Sequence, residues 1–251
     1  NGIGYLEIEG TIADARAAVR DIKYLENHRQ VRGLLVRVES PGGGVTASHE
    51  IYSELVRVRD GGLPVVVSMG TLAASGGYYV SLPADIIVAN PGTLTGSIGV
   101  IMEFPMVKGL MDKLGLGVEV IKSRANKDIG SPFRPMTDPE RALLQDVVID
   151  VYEQFVGLVV EERGLDEKAV RELADGRILT GRQALELGLV DTLGTLEDAR
   201  RVCAEMAGLG PNARLIKPRR PLRMSWLDLL TGTAEHVLGL PRFPRLAFLW
   251  R

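Results

Sequence analysis

Cysteine and histidine are scarce in this sequence: one cysteine, Cys203, and three histidines in 251 residues. A lone cysteine excludes an intrachain disulfide and any cysteine-based zinc site. Its place in a helical pattern makes Cys203 a small buried hydrophobe. An excess of charge of one sign is also missing. Thirty basic residues stand against 32 acidic ones, well mixed along the chain, so no electrostatic footprint for nucleic acid is present. No run of about 18 apolar residues occurs to span a bilayer, and no charged-then-apolar leader precedes the first strand. The chain opens on Asn1 instead of methionine; a membrane anchor, if there is one, is expected to precede it. There is no repeat of fixed period and no low-complexity block.

What remains is an ordinary globular composition, 45% apolar and 25% charged, long enough for one domain or two small ones. Gly4 to Glu9 reads as a strand and Asp14 to Asn27 as a helix with Ala17, Ala18, Ile22 and Leu25 on one face. Gly33 to Glu39 is a second strand. It runs into Ser40-Pro41-Gly42-Gly43-Gly44, a turn expected to continue neither helix nor strand. A helix from about Thr46 to Arg59 and a strand from Leu63 to Val67 follow. Further strands are expected at Asp85 to Ala89, Thr93 to Met102 and Val118 to Lys122, with a short helix from Pro105 to Leu114. Residues 123–137 carry loop chemistry. Asp138 is expected to cap, and Pro139 to open, the longest helix, with Leu144, Val148, Val151, Phe155 and Leu158 as its apolar stripe. Thr180 to Gln183 fits a capping box, and Gly188 is placed to end the helix it starts.

Strand, glycine turn and helix in alternation predict an α/β core with strands covered by helices. A domain over residues 1–208 is expected, with a C-terminal helical part. Residues 209–251 read as an extended arm, with an amphipathic helix through Trp226, Leu229, Leu230, Val237 and Leu238. The chain closes on an apolar tail from Pro241 to Arg251.

The stretch from Ser68 to Tyr79 is the one around which the chain is organised. Pro64 to Val67 is a buried strand, an apolar stretch after Ser75 can open a helix, and Ser75 stands between them. Such a turn lifts a hydroxyl out of the sheet and sets it beside unpaired helix N–H groups, which suits a nucleophile. A helix N-cap beside a packing glycine is the other reading. A nucleophilic serine needs a base within hydrogen-bond reach. The histidines available are His28, expected in a helix early in the chain, His49, just after the glycine turn, and His236, in the C-terminal arm; His49 reads as a helix-surface residue. A lysine base must have its pKa lowered from about 10.4 to about 7 or 8, which costs about 4 kcal/mol. Lys127 is the lysine of the loop at 123–137, with Asp128 beside it as an objection. No Gly-Lys-Ser/Thr follows the glycine turn, so it is not a phosphate-binding P-loop.

Four motifs together carry a resemblance that extends over residues 33–195. They are Ser-Pro-Gly-Gly-Gly at 40–44, Ala-Ala-Ser-Gly-Gly-Tyr-Tyr at 73–79, Thr-Leu-Thr-Gly-Ser-Ile-Gly-Val at 93–100 and Lys-Asp-Ile-Gly-Ser-Pro-Phe-Arg at 127–134. In this order they resemble the signal peptide peptidase A family, peptidase family S49, within the Clp protease and crotonase superfamily. The resemblance implies a Clp/crotonase-like fold and a serine endopeptidase with a Ser-Lys dyad. Ser75 matches the nucleophile and Lys127 the general base. Ser97 matches the serine that orients the lysine, and the N–H groups of Gly43 and Gly76 match the oxyanion hole. No metal or cofactor is implied.

Further expectations from the resemblance are apolar, signal-peptide-like substrates and a homo-oligomer with active sites at subunit interfaces. A single-pass anchor in the cell membrane, with an extracytoplasmic catalytic domain, is also implied. The tail from Leu246 to Trp250 resembles such a substrate and is expected in or near a substrate groove. Three rival readings are weaker. A crotonase-like acyl-CoA enzyme has no use for a Ser-Lys pair, a Clp-type triad would need His236 deep in the arm, and a scaffold has no need of a dyad.

Overall fold

The computed structural model describes residues 1–218 and 247–249. The helix expected around Trp226 to Leu238, His236, and the rest of the arm and tail lie outside the described residues. The chain divides into two compact units, one of residues 1–101, 149–218 and 247–249, the other of residues 102–148.

In chain order the first unit contains β1 (Gly2–Glu9), α1 (Arg16–Glu26), β2 (Val31–Ser40), β3 (Gly42–Gly44), α2 (Val45–Asp60), β4 (Val65–Ala74), α3 (Gly76–Tyr79), β5 (Ile86–Ala89) and β6 (Leu94–Gly96). The second holds α4 (Lys108–Lys113), a 3-10 turn at Ala125–Asp128 and the start of α5 (Asp138–Arg163). The chain returns to the first unit within α5 and continues through α6 (Glu167–Leu173), β7 (Ile178–Thr180), α7 (Gly181–Glu186), β8 (Thr192–Leu193), α8 (Leu196–Met206), β9 (Leu215–Ile216) and β10 (Ala247–Leu249). No helix among the described residues is long and apolar enough to cross a membrane.

The expected α/β core is present. Its sheet runs β7-β6-β4-β2-β1-β9 and is parallel except at β6–β7. Leu34, Leu35 and Val36 on β2 and Val65, Val66 and Val67 on β4 are all buried, so these central strands are covered on both faces. Ala199, Cys203 and Ala204 of α8 cluster with Ile3, Tyr5, Leu35 and Val66 on one side. Ile22, Leu25, Ile51, Leu55 and Phe155 pack with Leu34, Val36 and Val67 on the other. Cys203 is buried as expected, and burial pushes its thiol up to about 12.

β4 shares one edge between two strands. Val66 to Ser68 pair with β5, and Leu72 to Ala74 pair with β6. On its other edge the register with β2 shifts between Val38 and Ser40. The Glu39 carboxylate accepts there from the N–H groups of Thr71 (2.8 Å) and Leu72 (2.9 Å). Strand β4 therefore continues seven residues past Val67, where the sequence pattern placed its end, and delivers the chain to Ser75.

Three other expectations are corrected. Residues 118–122 form no strand: Val118, Val120 and Ile121 are 49%, 48% and 96% exposed. The cap of α5 is Thr137 and not Asp138. The Thr137 N–H donates to Glu140 Oε2 at 2.9 Å and the Glu140 N–H to Thr137 Oγ1 at 3.5 Å, a reciprocal box. His28 stands just past α1, outside the helix. The Thr180–Gln183 capping box forms as expected, and Gly188, at φ 74°, follows the end of α7.

Phe155 is fully buried against Tyr79, with ring centroids 4.9 Å apart. Phe155→Ala is expected to lower stability by about 3–5 kcal/mol through transfer and cavity terms. Leu110→Ala, at a side chain 60% exposed, should change it by under about 0.5 kcal/mol. Denaturant midpoints of the two variants check this.

Candidate active site

The site begins where β2 ends. The Ser40 hydroxyl donates to the Gly10 carbonyl (2.6 Å) and accepts from the Gly42 N–H (3.1 Å), which turns the chain at Pro41. The expected turn at 42–44 is in fact a strand, paired with β10 and held by a single bridge to Ile12, 30 residues upstream. The Ile12 N–H donates to Gly42 O and the Gly44 N–H to Ile12 O, both at 2.8 Å. A Cβ on Gly43 would collide with the Ile12 backbone. Since Gly42 and Gly44 turn their groups to Ile12, strand alternation leaves the N–H and C=O of Gly43 on the opposite edge. On that edge lies β10, antiparallel, with Phe248 opposite Gly43.

Ser75 lies at φ 55°, ψ −115°, between β4 and α3. Together with Ser97 (φ 52°) it makes up the non-glycine residues at positive φ among the described residues. Such conformations cost of order 1–3 kcal/mol each. Ser75 is 1% exposed, does not cap α3, and its Oγ has no hydrogen-bond partner among the described residues. The backbone is pinned: the Ser75 N–H donates to Gly96 O and the Tyr79 N–H to Ser75 O, both at 2.8 Å. Ala74 pairs with Gly96 across β4 and β6, so Ser75 and Ser97 leave neighbouring strand ends together. Ser97 is buried, and its N–H donates to Arg177 O at 2.8 Å.

Gly76 and Gly43 also meet. A Cβ on Gly76 would stand 3.0 Å from Gly43 N and 3.0 Å from Gly42 Cα. It would stand 2.7 Å from the hydroxyl of Ser48, a fully buried residue of α2 whose Oγ likewise has no partner among the described residues. Sequence reasoning missed Ser48, Ile12 and Glu39, since each acts through a segment distant in the chain. Thus Ser75, Ser97, Gly43 and Gly76 come together in the first unit.

Behind α3, the Tyr78 hydroxyl donates to Leu189 O at 2.9 Å. Tyr79 packs on Tyr52 and Phe155, and its hydroxyl lies 2.9 Å from His49 Nδ1. Burial pushes the Tyr79 phenol up to about 12, so it stays neutral at physiological pH. His49 is an exposed side chain on α2, as expected, with its ring tied to Tyr79.

Lys127 belongs to the second unit, on the 3-10 turn, and is exposed in the single chain. The Asp128 carboxylate beside it bonds Arg134 and Lys122. It accepts from Arg134 Nε and Nη2, both at 2.8 Å, and from Lys122 Nζ at 2.6 Å. The Arg134 guanidinium, with Lys122, holds the Asp128 carboxyl far below the usual carboxylate range. Arg134 also donates from Nη1 to Glu140 at 2.9 Å, and with Thr137 lowers the Glu140 carboxyl to about 2. One arginine thus joins the Lys127 turn to the cap of α5.

The model of peptidase family S49 matches residues 57–210. A Synechocystis protein, named provisionally as a protease, is 45% identical over 245 residues, which cover 95% of this chain and 88% of that one. A protein of Enterococcus faecium, provisionally named signal peptide peptidase SppA, is 39% identical over 207 residues, 77% of this chain and 60% of its own length. Protease 4 of Salmonella typhi is 39% identical over 180 residues, 72% of this chain and 29% of its own.

The Arg134 clamp predicts a pH dependence. Its carboxylates have lowered pKa values in the folded chain, so its contribution is complete above the ordinary carboxylate pKa and is lost as pH falls through the folded one. For Glu140 that window runs from 4.5 down to about 2. Hydrogen-exchange protection of the Lys127, Ile129 and Ser131 amides, each bonded within the turn region, should fall across it. Arg134→Ala should lower the same protection at neutral pH by roughly tenfold.

Proposed function

The chain belongs to peptidase family S49, and from that premise we propose that it is a serine endopeptidase cutting extended apolar peptides through a Ser75–Lys127 dyad. The observation that carries the reading is Ser75 itself. A strained serine with a buried, unpartnered hydroxyl, beside two glycine N–H groups at closely approaching backbones, has the features a nucleophile and oxyanion site require. The α/β sheet with helices on both faces is read as Clp/crotonase-like.

In this mechanism the neutral amine of Lys127 takes the proton of Ser75 as Oγ bonds to the peptide carbonyl carbon. The oxyanion is held by the N–H groups of Gly43 and Gly76, each worth about 3 kcal/mol in the transition state. Collapse breaks the C–N bond, and Lys127 passes the proton to the leaving amine. Water activated by the same amine then releases the acyl group from Ser75. Ser97 orients the lysine through a hydrogen bond from its hydroxyl.

Lys127 must be desolvated to act as this base, and in the single chain it is exposed. Among the described residues of the unit that carries it, Glu140 is the one that is buried, whereas Leu110, Leu114, Leu116, Val118 and Ile121 are exposed. Exposed apolar side chains in such number need cover. This supports assembly with further copies of the chain as a condition of activity, with the lysine serving the serine of its own or a neighbouring protomer. Anchoring to the cell membrane by a segment outside this sequence, with remnant signal peptides as substrates, completes the proposal.

A fluorogenic apolar peptide tests it. Ser75→Ala and Lys127→Ala are each expected to lower kcat/KM by about 10³-fold or more, and the double variant by no more than the worse single one. Gly43→Ala should cost about 10²–10³ in kcat. Retained activity in Lys127→Ala would sink the dyad.

A further inference from the structure

We propose that the Ser48 hydroxyl is a third hydrogen-bond donor of the oxyanion site, acting beside the N–H groups of Gly43 and Gly76. The inference rests on the peptidase reading above and adds to it a residue outside the Ser75–Lys127 dyad.

Among the described residues, two buried side-chain polar atoms lack a hydrogen-bond partner, Ser48 Oγ and Ser75 Oγ. Both belong to the neighbourhood of Gly76. Ser75 precedes it in the chain, and Ser48, fully buried, reaches it from α2. A Cβ on Gly76 would lie 2.7 Å from Ser48 Oγ and 3.0 Å from Gly43 N. The space kept open by that missing Cβ is therefore bordered by the Ser48 oxygen and by the nitrogens of both donors already assigned to the oxyanion.

Packing alone does not account for the hydroxyl. The close approach of α2 to Gly76 asks for a small side chain at position 48, which alanine would supply with no polar group to satisfy. An unpaired buried hydroxyl costs about 1–3 kcal/mol. Its ordinary outlet is the carbonyl four residues back. Ser81, just past α3, takes that outlet and donates to Gly77 O at 2.8 Å. Ser48 does not.

The partner that fits is an anion formed only during the reaction. The oxygen of the attacked carbonyl gains negative charge, and it has more lone pairs than two N–H groups occupy. A third donor meets its acceptor as that charge develops, so it stabilises the transition state over the bound substrate. Helix α2 adds to the preference. It is 16 residues long and starts at Val45, directly after the glycine strip, with no acidic residue in its first turn, so its positive end is left to the same anion. Ser48 keeps its proton throughout, and the bonds that form and break remain those of Ser75 and Lys127.

Hydrolysis of a fluorogenic apolar peptide by Ser48→Ala, beside wild type and Ser75→Ala, is the test, with denaturant midpoints measured on the same proteins. Ser48→Ala should lower kcat by about 10²-fold and leave KM within about twofold of wild type. Its midpoint should stay level or rise, because an orphaned buried group is removed. A peptide aldehyde, captured by Ser75 as a hemiacetal whose oxygen sits among the same donors, should bind more weakly by a similar factor. An unchanged kcat, or a loss of kcat that comes with a lower midpoint, overturns the proposal. The peptidase reading survives either result provided wild type cuts the peptide and Ser75→Ala does not. If wild type leaves the peptide intact, or Ser75→Ala cuts it, both fall.

Discussion

Backbone set against backbone with no Cβ between them is the constraint on which the site depends. Gly43 lies on the Ile12 main chain, Gly76 on Gly42 and Gly43, and Gly77 so near Ser40 that a Cβ would stand 2.6 Å from its carbonyl oxygen. These approaches bring the end of β2, the strip β3 and the start of α3 within reach of one another. They also force strain, at about 1–3 kcal/mol for each of Ser75 and Ser97. Burying one large aliphatic side chain contributes about 1.5–3 kcal/mol. The fully buried Leu35, Val66 and Val67 of the flanking strands therefore outweigh it, and the strained turn is held by the sheet around it.

Periodicity made β1, α1, α2, α5 and the Thr180 box legible in the sequence, because each is decided by residues close in the chain. β3 was not. A glycine strip has no pattern of its own and becomes a strand only when β10, about 200 residues downstream, supplies its partner. The far half of β4 was hidden for a related reason: Gly70 and Thr71 look like a turn until Glu39 from β2 bonds the displaced N–H groups. Thr137 lost to Asp138 in the sequence because two capping residues stood side by side and only the reach of Glu140 decided between them. At the site, the strand-to-helix position of Ser75 was readable, and its failure to cap α3 was not. Ser48 left no signal, since a serine in the first turn of a helix is commonplace.

The two units differ in what holds them. The first has a core on both faces of its sheet. The second relies on charge: Arg134 bonds Asp128 and Glu140, and Lys122 bonds Asp128. The Asp128 carboxylate, next in sequence to Lys127, is thereby engaged by an arginine and a second lysine.

Recognition of a peptide by its main chain demands an open strand edge, and an open edge is a liability, since it pairs with whatever extended chain meets it. β3 is such an edge: Ile12 takes one side, and the N–H and C=O of Gly43 are left for the other. These groups need partners once water is excluded from them, because buried backbone groups left unpaired cost about 1–3 kcal/mol each. In this chain β10 provides the pairing. The edge is thereby satisfied by an extended segment of the same chain. A cover made of the chain's own peptide protects the edge through main-chain bonds, so the strip is not left open to pair with other chains.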